Sequence, residues 1–171
     1  MGTSEASPPA SEGCMTVADA VDIATELHAG RDAYIDGPDR MIFAQLVARS
    51  ASLASQLYAR GVGAGDVVAL MLDSGIDYAI AYLAVLRLGA VVTGLNPRLG
   101  WHETDAIIAR CAPVLVIRDD QLGMPDVAAG IAVMERAELA AAAHAGEPLP
   151  DGQPPASLRG SAASKSCVVD I

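Results

Sequence analysis

The stretch Asp66-Val67-Val68-Ala69-Leu70-Met71-Leu72, followed by Ile76 to Leu88 and then by Ala90-Val91-Val92-Thr93, decides the fold. The first run is almost continuously apolar and of strand length, the pattern of a strand buried on both faces of a parallel sheet. Ile76 to Leu88 is apolar nearly all round, Tyr78 and Tyr82 included, which predicts a buried helix capped by Asp73 and Ser74 and ended by Gly89. Strand, helix and strand in that order form a crossover unit. A second crossover passes through a helix from His102 to Arg110, with Ala106, Ile107 and Ala109, and reaches the strand Val114-Leu115-Val116-Ile117 after Pro113. Three strands separated by helices predict an α/β fold, a parallel sheet with flanking helices.

Upstream, Thr16 caps a helix with Asp19 three positions on, and Val17, Val21, Ala24 and Leu27 recur at helical spacing until Gly30. Ala33-Tyr34-Ile35-Asp36 and Arg40-Met41-Ile42 flank the turn chemistry of Gly37-Pro38-Asp39 and predict a small hairpin. From Phe43 the period is helical, with Leu46, Val47, Ser50, Leu53, Ala54 and Leu57 on one face and Gln45, Arg49, Ser52 and Arg60 on the other. Gly61 ends that helix. Downstream, Ile131 to Met134 suit a short strand and the alanine-rich run Arg136 to His144 a helix. Residues 146–161 turn to Pro, Gly and Ser, and Cys167-Val168-Val169 begins a further strand. The chain thus divides into a disordered tail over 1–15, an α/β domain over 16–118, a short strand and helix within 119–145, a linker over 146–164, and the start of a truncated strand over 165–171.

Composition narrows the function classes. With 171 residues there is enough chain for one domain, and 52% hydrophobic content excludes wholesale disorder. Acidic residues outnumber basic ones 21 to 11 for a net charge of -10, so neither nucleic acid nor an anionic membrane is a natural partner. The first fifteen residues hold Glu5 and Glu12, no basic residue and no apolar run, unlike a signal peptide. The most apolar stretch, Ile76 to Leu95, is broken by Asp77, Arg87 and Gly89, which disfavours a transmembrane segment. Cys14, Cys111 and Cys167 lie far apart without metal-ligand spacing, as in a reduced, cytoplasmic protein.

Several residues invite a chemical role, and each has a plainer one. Gly61-Val62-Gly63-Ala64-Gly65-Asp66 has the glycine content of a phosphate loop, but a helix precedes it and a strand follows. The glycines therefore meet a helix's negative end, and a helix stop with a tight turn is the better reading. His102 and Glu103 are adjacent on a helix and do not face each other. His28 and His144 have no partner at a telling spacing. Cys111 has only Arg110 nearby to lower its pKa and reads as a small apolar residue at a helix end. Asp73 and Asp77 are four apart, as in a carboxylate pair, but Asp73 suits a cap better. No catalytic, cofactor-binding or metal-binding residue is assigned.

The order of these segments resembles a known family. Phe43-Ala44-Gln45-Leu46, Leu53 to Tyr58, and Gly61-Val62-Gly63-Ala64-Gly65-Asp66-Val67-Val68-Ala69-Leu70 are similar to the opening of the adenylate-forming acyl-CoA synthetases, relatives of adenylation domains and luciferases. Tyr82-Leu83-Ala84-Val85-Leu86-Arg87-Leu88-Gly89-Ala90-Val91-Val92 continues the likeness, with Leu95-Asn96-Pro97-Arg98 and Glu103 behind. It runs in order from Ala33 to Ile117. Gly94 departs from it, since members often carry proline there.

The resemblance implies the N-terminal subdomain of an AMP-forming ligase, which joins a carboxylic or fatty acid to coenzyme A through an acyl-adenylate, using ATP and magnesium. It places the family's Ser/Thr/Gly-rich phosphate loop after a strand like Cys167-Val168-Val169, where Asp170-Ile171 stand instead. Lys165 matches neither family lysine. On this reading the chain is a truncated portion without a cofactor of its own, either inert alone or dependent on a separately encoded C-terminal ligase portion. The alternative is a non-catalytic α/β interaction module or half of a split ligase. Unpaired sheet edges would also favour self-association.

Overall fold

The computed structural model describes residues 15–122 and 130–145. The tail, the linker and the terminal strand expected from the sequence lie outside them, except for Met15. Six strands and five helices are described: α1 (Val17–His28), β1 (Asp32–Asp36), β2 (Asp39–Ile42), α2 (Phe43–Ala59), β3 (Val67–Met71), α3 (Ile76–Arg87), β4 (Val91–Gly94), α4 (Trp101–Cys111), β5 (Leu115–Arg118), β6 (Ala132–Glu135) and α5 (Arg136–His144). A single 3-10 turn, Asp120–Leu122, follows β5.

The strands β3 to β6 form one parallel sheet in the order β4-β3-β5-β6. Starting from β3, the chain steps outward to β4 and then crosses back to β5 on the other side. Right-handed crossovers consequently place α3 and α4 on opposite faces. The side chains agree. Val68, Leu70, Leu72, Leu115, Ile117 and Met134 point into the larger core beneath α2, α3 and α5, whereas Ala69, Met71 and Val116 meet Ile108 of α4. Both faces of β3 are therefore dry, as its unbroken apolar run requires. β6 and α5 complete this same body, with Leu139 and Ala143 of α5 buried in the larger core.

Three local expectations are corrected. Asp73 and Ser74 do not cap α3; its N-cap is Gly75, with no side-chain cap. The Asp36 carboxylate approaches to 2.8 Å of where a Gly75 Cβ would sit, so the cap position holds the one residue that leaves room for the hairpin. Ser52, assigned to the outer face of α2, is buried, because α5 lies across it and the Ser52 hydroxyl donates to the Ala142 carbonyl at 2.6 Å. On α1, Val17 and Leu27 face solvent, and the inward side is formed by Ala18 and Val21. Asp22 sets that rotation by pairing with Arg87 of α3, whose Nε also donates to Ser50 of α2.

Other expectations are met in detail. Thr16 and Asp19 form a reciprocal capping box on α1, and β1 pairs antiparallel with β2. The glycine loop is a helix stop and turn. Gly61 and Gly65 adopt positive φ angles of 89° and 85°, and the Gly63 N–H donates to the Asp66 carboxylate at 2.7 Å. The loop thus carries its own anion, and that N–H is not free for a phosphate.

Candidate functional site

In an open parallel sheet, ligands settle at the carboxyl ends of the strands where the strand order reverses. Here that position lies between β3 and β5, at the loop Leu72-Asp73-Ser74-Gly75 and at Asp119. Asp119 follows β5 directly and is buried, 5% exposed. Its Oδ1 accepts the Gln121 N–H at 3.0 Å, and its Oδ2 accepts Arg136 Nη1 at 2.9 Å. Arg136, the first residue of α5, also donates through Nε to Asp77 Oδ2 in the first turn of α3 at 2.6 Å. One guanidinium therefore spans the crevice and ties α5 to both α3 and the end of β5.

The electrostatics follow from this geometry. The Arg136 hydrogen bond, aided by the Gln121 N–H, holds the Asp119 carboxyl below the usual carboxylate range despite its burial, and the two carboxylates raise Arg136 in turn. Asp36, Asp73 and Ser74 line the rest of a cavity of about 60 Å³. Nucleotide-sized ligands need several hundred Å³, and a wall of three aspartates, Asp36, Asp73 and Asp77, facing one committed arginine repels a triphosphate. The crevice is a closed ion-pair latch, and its donor set does not fit ATP.

A second concavity of about 250 Å³ opens between α4 and β6, lined by Asp105, Ile108, Ala109, Ala112, Pro113 and Ile131. Apart from Asp105 it offers no group that orients a ligand or moves a proton.

The residues singled out from the sequence do not converge. His102 and Glu103 are exposed on the first turn of α4, where Glu103 Oε2 accepts the Gly100 N–H at 3.1 Å as a cap. His28 ends α1 in solvent, and His144 Nδ1 lies 2.7 Å from the Ala140 carbonyl within its own helix. Cys111 is half-buried with its Sγ 3.9 Å from Thr93 Oγ1. Cys14, Cys167 and Lys165 lie outside the described residues. Asp73 and Asp77 do line one crevice, but Asp77 is engaged by Arg136. Among the described residues, no group of three or more His, Cys, Asp or Glu is placed to hold a metal ion, and no helix is long and apolar enough to cross a membrane.

The Asp77–Arg136–Asp119 cluster escaped the sequence reading because its members stand 59 and 17 positions apart. The available signal was an aspartate directly after a buried strand. That position falls at the reversal point only once the strand order is known.

Comparison with known proteins places the chain. The AMP-binding enzyme family model matches residues 21–164. A probable CoA ligase of hop, Humulus lupulus, is 34% identical over 102 residues, which span 58% of this chain and 18% of the ligase. A polyketide synthase-nonribosomal peptide synthetase of Aspergillus clavatus is 29% identical over 106 residues, 61% of this chain and 3% of the synthetase. The inhibitor-bound N-terminal domain of FACL13 from Mycobacterium tuberculosis superposes with a TM-score of 0.70 at 21% identity, covering 78% of this chain and 36% of that domain. The chain thus spans a small share of its curated relatives and about a third of a solved N-terminal domain. With the sheet order, the helices on both faces and the family match in agreement, this chain belongs to the AMP-binding, adenylate-forming ligase family and has the fold of its N-terminal subdomain.

Proposed function

We propose that the chain is the N-terminal portion of an acid–CoA ligase, acting in the cytoplasm on a carboxylic acid of the fatty-acid class, and that it is inert until joined by the rest of the ligase. The observation that carries this reading is the closed crevice. The one place where the sheet's topology would receive a ligand is filled by Arg136 between Asp77 and Asp119, so in this portion the sheet serves as scaffold. The free, half-buried Cys111 thiol suits a reducing compartment. Acyl transfer through an adenylate requires the triphosphate's charge to be neutralised by metal, cations and backbone N–H groups in a preorganised site. The ligase remainder, supplied in cis or in trans, has to bring those groups, along with ATP, magnesium and coenzyme A. What this portion contributes is a rigid parallel sheet on which that remainder is positioned.

The test is co-expression with the portion of the hop ligase that lies beyond its matched segment. Coenzyme A thioester formation is then followed by mass spectrometry over aliphatic and aromatic acids. Thioester formed with fatty acids only when both portions are present supports the reading. Transfer of the acid to a carrier protein, with no CoA thioester, would favour a second reading, a nonribosomal-type adenylation portion, which the Aspergillus similarity supports.

A further inference from the structure

We draw no further inference here: the strongest candidate, the apolar cavity between α4 and β6 with Asp105 as its one charged lining residue, carries nothing because nothing in the structure shows what covers it.

Discussion

Replacing Arg136 by Met removes the guanidinium that closes the crevice while keeping much of the side chain's apolar stem. The Asp119 side chain, only 6% exposed, then loses its charged partner, whereas Arg136 itself is half exposed. A hydrogen bond to a charged, buried group is worth about 1.5–3 kcal/mol. The half-exposed arginine moves this toward the lower end, since water partly replaces it. The Asp77 pair, more open to solvent, adds about 0.2–1 kcal/mol. The sum is about 2 kcal/mol, which for a domain of this size lowers Tm by roughly 8 °C. Asp119→Asn placed on top of Arg136→Met should recover about half of that loss, because a neutral amide needs no counter-charge. The pH dependence carries its own sign. The Asp119 carboxyl lies below its ordinary value of 3.8 in the folded chain, so its contribution is complete above that value and is lost as pH falls through the folded-state value below it. Thermal melts by circular dichroism should therefore show a constant gap between wild type and Arg136→Met from pH 5 to 8 that closes as pH falls below about 3.8. Coincident melts at pH 7, or a gap undiminished at pH 2.5, would refute the latch.

Two further substitutions separate packing from backbone. Ser52→Ala deletes the donor to the Ala142 carbonyl and should cost about 1 kcal/mol, read as a lower urea midpoint at unchanged m. An equal midpoint would mean that α5 is not held there. Gly65→Ala meets no atom within 4 Å yet forces an alanine to φ +85°, costing about 1 kcal/mol, whereas Gly63→Ala, without a positive φ, should be near neutral. Equal effects at the two positions would contradict the turn geometry.

The sheet was legible because Val67 to Leu72 is apolar at every position, a pattern that only a doubly covered strand needs. The crossovers followed from the alternation of periods on either side of it. Periodicity left the orientation of α1 undetermined, since Val17, Ala18, Val21 and Leu27 supply apolar residues on two sides. The choice is made by Asp22 reaching Arg87, a contact 65 positions away. Ser52 was misplaced for a related reason. A serine reads as polar surface until a later helix supplies a carbonyl for its hydroxyl. The latch was invisible because its three residues meet only through the reversal in strand order, which local sequence does not encode. The glycine loop was read correctly because the order of helix and strand around it fixes the sign of the dipole it meets.

The most direct test of the account is magnesium-dependent ATP–pyrophosphate exchange by the purified chain alone, with saturated fatty acids and benzoates, in a preparation free of host ligase. The account predicts no exchange above the protein-free blank with any acid, because the crevice at the sheet's reversal point is held shut by Arg136 and lined by carboxylates. Acid-dependent exchange above the blank would contradict it, for this portion would then bind and activate a triphosphate by itself.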